Sequence, residues 1–270
     1  MSNRWPMVIR IFIAILFIAP IYWTLVIATG ARGAAYSLPP VFLPAFHFHA
    51  LWVVLTQTSW MRYLLNSILI TSLTIGCVLV SSALAGYALA EINMPGKNAI
   101  FYLFLGVMML PGQALLVPQY VVMFHLHLLN SYAGLILPFT ANTSGIFLFR
   151  QYFMKLPRSY REIARVENVN SWTYIRRVAV PLARPAVATV TLLTFISSWN
   201  QFQWPLIMTD TTAIDPIELA LTRYMQTYQA NWRELASAAL LALVPIIIVF
   251  LFTQNHIVAA VAGGEQGSKE

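Results

Sequence analysis

What most constrains this chain is the absence of charge over long stretches. No aspartate, glutamate, lysine or arginine occurs inside residues 11–29, 63–89, 100–124, 132–149, 186–208 or 235–255. Each run approaches the roughly 20 apolar residues that cross about 30 Å of hydrocarbon at about 1.5 Å per residue. Hydrocarbon offers the backbone no hydrogen-bond partner, so spanning segments of this kind must be helical. The chain is therefore expected to be an all-α integral membrane protein of six spans, one transmembrane domain over residues 1–270. Composition agrees, with 59% hydrophobic and 9% charged residues, where a soluble domain carries about 25% charged.

The cations set an expected topology. With the N-terminus in the cytoplasm, twelve lysines and arginines fall inside, and only Arg32, Arg62, Arg223 and Arg233 fall outside. That bias follows the positive-inside rule and puts both termini in the cytoplasm. The formal net charge of +7 is then topogenic, and nucleic acid is not an expected partner. Arg4 and Arg10 before an apolar stretch would suit a signal peptide, but the stretch exceeds a usual h-region and reads as an uncleaved first span. Cys77 is the single cysteine, which leaves no disulfide framework or thiol metal cluster.

Several prolines interrupt the spans (Pro20, Pro111, Pro118, Pro138, Pro245), as membrane bundles tolerate. Small residues gather at Ser81, Ser82, Ala83, Ala85, Gly86 and Ala88, a pattern for close helix approach. Outside loops are expected at 30–62 and 209–234, and the largest inside loop at 150–185.

That inside loop holds the most polar helical stretch, REIARVENVNSW. Ile163, Val166 and Val169 recur at three-residue spacing and would line one side of a short amphipathic helix. Glu162 is placed to pair with Arg165 one turn on. Asn168 and Asn170 suit a helix stop, Ser171 a cap for a second helix over 172–177, and Pro181 its end. From physics alone the loop is a solvated connector, a helix resting on anionic lipid or a docking knob for a cytoplasmic partner.

The segment SYREIARVENVNSWTYIRRVAVPLARP resembles the cytoplasmic EAA loop of ABC-importer permeases, whose usual form is EEAARIDGAS, a short helix and LP. Glu162, Ala164, Arg165, Val166 and Ser171 align directly. Glu167 stands where the family has aspartate, Asn168 where it has glycine, and Ile163 replaces a small residue. RYLLNSILIT, AGYALAEINMPGKN, MMLPGQALLVPQY, LLNSYAGLILPF, FLFRQYFMKLP and SSWNQFQWPLIMTD resemble further stretches of the smaller, six-span carbohydrate-uptake permeases of the maltose and sn-glycerol-3-phosphate type. The resemblance implies a type I importer permease working with a second permease, two ATPase subunits and an extracytoplasmic solute-binding protein in a bacterial-type inner membrane. It implies that Arg161, Glu162, Ile163, Ala164, Arg165, Val166, Glu167, Asn168 and Val169 form the ATPase-docking coupling helix. The chain has no G-x-x-x-x-G-K-[ST] loop, so ATP and its magnesium are expected in the partner ATPase and not here.

Trp199, Asn200, Gln201, Gln203 and Trp204 are candidates for the solute path, since rings cover sugar C–H faces and amides bond hydroxyls. Asn66 and Gln113 are lesser candidates. Interfacial aromatic belts and interhelical amide bonds are the competing reading for all of them. The pairs His47/His49 and His125/His127 lack further ligands in a recognisable pattern, and Asp215 with Glu218 lacks a substrate pocket. A secondary transporter of a small polar solute is the alternative function, although it would be expected to carry ionisable residues within spans.

Overall fold

The computed structural model describes residues 5–31, 33, 36–227 and 231–266. Arg4, Arg32 and Lys269, counted above among the topogenic cations, lie outside the described residues. The described elements are all helical, and two compact units divide them: residues up to 66 with 215–247, and residues 67–214 with those from 248.

The first unit begins with α1 (Trp5–Thr29), followed by α2 (His49–Gln57). Most of α1 exposes large apolar side chains such as Phe12, Ile15 and Phe17, as expected of a helix whose solvent is lipid. Its last turn is different: Val26, Ala28 and Thr29 are buried, as are Ala50 and Val54 of α2. Tyr22 donates to the Phe42 carbonyl at 2.6 Å, tying the extended outer segment to α1. The unit also holds the start of α3 (Trp60–Glu91), all of α13 (Ile217–Thr227) and the first half of α14 (Trp232–Gln266).

The second unit contains the remaining elements: α4 (Lys97–Met108), α5 (Leu116–His125), α6 (Tyr132–Ile136), α7 (Thr143–Met154), α8 (Arg158–Val166), α9 (Ser171–Tyr174), α10 (Val180–Leu182), α11 (Arg184–Trp199) and α12 (Gln203–Met208). Its main core joins α3 (Val78, Ala83, Tyr87), α7 (Phe149, Phe153), the 175–183 segment and α11 (Ala186, Val190). Small residues decide how closely these helices approach. A Cβ on Gly86 would come within 2.7 Å of the Phe149 Cβ and 2.9 Å of the Arg150 nitrogen, so α7 packs directly on the α3 backbone there. Ser81 donates to the Thr140 carbonyl at 2.6 Å.

Among the described residues, only α1, α3 and α14 are singly long and apolar enough to cross a membrane. Six spans result if each bent pair counts as one: α4 with 112–125, bent 98°; 132–139 with α7, bent 45°; and 171–182 with α11, bent 82°. The prolines take three kinds of position. Pro111 and Pro138 sit at breaks, whereas Pro118 lies in the first turn of α5, where its missing N–H costs no helical bond. Pro20 and Pro245 are carried inside α1 and α14.

A projecting helix and a cleft at the helix breaks

The 150–185 loop folds as two short helices. α8 ends in a Schellman turn: Asn168 is left-handed at φ 52°, its N–H donates to the Arg165 carbonyl at 3.1 Å, and the Val169 N–H donates to the Ala164 carbonyl at 2.8 Å. Asparagine therefore does the work that glycine usually does at that position. The next cap is Asn170, whose side chain accepts from the Thr173 N–H at 2.7 Å; the expected cap was Ser171, which is instead the first helical residue. Pro181 does not end the second helix. A widened π turn over Ile175–Ala179 accommodates its ring, and the chain stays helical to Leu182 before turning at Ala183.

α8 is polar and apolar in the sense that docking requires. Ile163 is 61% and Val166 79% exposed, beside Glu162, Arg165 and Glu167, which are also exposed. Among the described residues, nothing covers those side chains. The underside of α8 is fixed: Ala164 packs on the main core, and Arg161 forms an ion pair with Glu91 at the end of α3. The Glu162–Arg165 pair expected from sequence does not form among the described residues. Arg161 finds a carboxylate 70 positions away, a partner that local spacing cannot reveal. Tyr174 is buried against Tyr87, which in turn meets Phe153 edge-on at 6.1 Å. These aromatic contacts seat the whole loop on α3 and α7.

The solute-path candidates separate into two groups. Gln113, Asn200, Gln201, Gln203 and Trp204 line one cleft of about 440 Å³, together with Gln119. The other two lie elsewhere. Trp199 is buried and stacks on Phe195, one turn back, at 5.3 Å. Asn66 is buried in the first unit, donating to the Asp215 carbonyl at 3.0 Å. Trp204 spends its indole N–H on the Gly134 carbonyl at 3.0 Å and meets Phe139 edge-on.

A second hollow of about 270 Å³ shares Gln119 and Gln201 with the first, and adds Thr74, Asn142, Ser197 and Ser198. Sequence reading missed Gln119 and these hydroxyls, because single polar residues inside apolar runs look like packing until the breaks bring them together. Asp215 falls in the segment 209–234 expected to be an outside loop. It is in fact fully buried and paired with Arg223 at 3.2 Å, a structural position where a charge needs its partner. Burial also pushes the Glu218 carboxyl above its ordinary range.

Apolar helices, three pairs of them bent at breaks, and one exposed polar helix tied to the end of α3 are the features of a multi-pass membrane protein. Residues 82–263 match the family described as binding-protein-dependent transport system inner membrane component, and the chain belongs to that family. It is 33% identical over 209 residues to an arabinooligosaccharides transport system permease protein of Bacillus subtilis, covering 77% of this chain and 74% of that one. It is likewise 33% identical over 259 residues to an sn-glycerol-3-phosphate transport system permease protein of Salmonella typhi, covering 92% and 91%. A chain from the crystal structure of a bacterial ABC transporter involved in the import of the acidic polysaccharide alginate superposes with a TM-score of 0.83 at 23% identity, over 94% of this chain and 98% of that chain. The fold is thus that of an ABC-importer permease.

Proposed function

We propose that this chain is the smaller permease of a binding-protein-dependent importer, and that α8 is the helix through which ATP-driven motion enters the membrane. The observation that carries this reading is the exposed Glu162–Ile163–Arg165–Val166 surface on a helix whose other side is tied to α3. In this reading the whole chain is one permease domain in a bacterial inner membrane, with both termini in the cytoplasm. It catalyses no reaction itself. A pair of ATPase subunits binds ATP and magnesium, a second permease completes the path, and an extracytoplasmic binding protein delivers a sugar or glycerol-phosphate-like solute.

The physics of docking follows from the surface. Ile163, Val166 and Val169 supply apolar contact for a groove on the ATPase, and Glu162 pairs with a basic group there, fixing register more than adding affinity. When the ATPase subunits close, the two coupling helices approach, and rigid anchoring through Arg161, Ala164 and Tyr174 carries that displacement into α3 and α7. The two access states exchange by population shift, biased by nucleotide on the partner.

Glu162→Lys tests this directly. Because Glu162 is exposed and makes no ion pair among the described residues, the substitution leaves the fold intact. It is expected to lower ATPase copurification or ATP-driven uptake at least about tenfold, the effect of losing about 1.4 kcal/mol at an interface. Full assembly together with full uptake would remove α8 from the docking role.

A further inference from the structure

We propose that residues 36–48 are a lipid seat: an extended segment that lies in the headgroup layer beside the end of α1 and sinks Leu38, Phe42, Leu43 and Phe46 into phospholipid. The proposal goes beyond the importer reading and does not depend on the docking role given to α8.

Depth is the first observation. α1 has 25 residues, which at about 1.5 Å each is about 37 Å. That exceeds a hydrocarbon core of roughly 30 Å but not a whole bilayer of roughly 40–45 Å, so Thr29 at its end lies among headgroups. The chain then folds back along the helix. Tyr22 donates to the Phe42 carbonyl at 2.6 Å, and the Trp23 and Phe42 rings are 5.8 Å apart. Tyr22 and Trp23 stand about 10 Å back along the axis from Thr29, which brings Phe42 to the level where headgroups meet acyl chains. The chain returns to the end of α1 at His47, whose N–H donates to the Thr29 carbonyl at 3.0 Å.

The second observation is chemical. Gly33 to Phe46 contains no aspartate, glutamate, lysine, arginine or histidine. Pro39, Pro40 and Pro44 bring no N–H that would be left unpaired away from water. Irregular backbone exposed to lipid is excluded from the hydrocarbon itself, so the backbone belongs at headgroup level and only the side chains go deeper.

Exposure is the third. Leu38 is 93% and Leu43 74% exposed, and Val41, Phe42, Phe46 and Phe48 are exposed as well. A contiguous apolar patch marks a surface that meets protein or lipid, and two arguments favour lipid. Through Trp23 and Phe42 the patch continues the exposed apolar side of α1, and tyrosine and tryptophan at this level, here Tyr22 and Trp23, are characteristic of a membrane interface. A binding protein that comes and goes would leave the patch in water between visits. Reversible protein interfaces are no more apolar than ordinary surface and carry a polar rim, whereas residues 36–46 offer no charged side chain.

The test uses the complete assembly in nanodiscs of phosphatidylethanolamine and phosphatidylglycerol, with Cys77→Ala removing the native thiol. A nitrobenzoxadiazole label is attached at Leu38→Cys or Leu43→Cys, and for comparison at Ile21→Cys in α1 and at Gln57→Cys, exposed at the end of α2. Its emission is quenched from the lipid side by acyl chains brominated near the headgroup, and from water by iodide. The Leu38 and Leu43 labels are expected to be quenched by bromolipid at least about half as strongly as the Ile21 label, and by iodide at least about fivefold less than the Gln57 label. Iodide quenching equal to that at Gln57 would put the segment in water and overturn the seat. Shielding from both quenchers would assign the patch to the second permease. Iodide shielding that appears only when the binding protein is added would assign it to that protein, and either result overturns lipid as the occupant.

Discussion

Asn168 concentrates the local physics of the docking loop in one residue. Its left-handed backbone closes the Schellman turn that ends α8 and leads the chain into α9. Asparagine bears that conformation better than other residues with a Cβ, glycine bears it freely, and a β-branched residue bears it worst. Asn168→Gly should therefore keep the turn, whereas Asn168→Val should open it at a cost of about 1–2 kcal/mol. Limited trypsin cleavage after Arg165 in detergent reads this out: the valine variant should be cut about 5- to 30-fold faster, the factor corresponding to that energy. Equal cleavage of the two variants would mean that tertiary contacts, not the turn, hold the end of α8.

At the scale of elements, α8 is held to the end of α3. The Arg161–Glu91 pair joins the two, and contacting charges of this kind couple by about 0.5–3 kcal/mol in double-mutant cycles. Arg161→Glu alone is expected to reduce uptake more than it reduces ATP hydrolysis, because the ATPase stays docked while its motion is poorly transmitted. Combining it with Glu91→Arg should recover most of the uptake. A double variant no better than the single one would limit the pair to packing. Two further cations near helix ends are also engaged: Lys97 Nζ donates to the Ala90 and Ile92 carbonyls at 3.1 and 3.3 Å, capping α3, and Arg150 lies 3.8 Å over the Phe101 ring.

These elements were unevenly legible. Charge-free runs announce helices in lipid because the hydrocarbon permits little else, and the i, i+3 spacing of Ile163 and Val166 announces an amphipathic helix. Pro111 and Pro138 mark two breaks in advance. What sequence spacing cannot give is the convergence of those breaks, which unites Gln113 and Gln201 but leaves Trp199 stacked on Phe195. Helical phase explains the last difference: Trp199 and Asn200 are neighbours in sequence yet about 100° apart around the axis. Long-range partners are hidden for a similar reason. Neither Glu91 for Arg161 nor the burial of Asp215 beside Arg223 is encoded in local pattern.

At the scale of the whole molecule, the chain is a membrane permease whose sequence holds no G-x-x-x-x-G-K-[ST] loop. In the proposed function, ATP is therefore handled by a partner subunit. The most direct measurement is affinity isolation of this chain from mildly solubilised native membranes, with mass spectrometry of what accompanies it. The account predicts a second permease and an ATPase in stoichiometric amounts, with the ATPase depleted at least tenfold, and the second permease retained, when Glu162 is replaced by lysine. A chain that comes out alone, and transports solute when reconstituted by itself, would contradict the account.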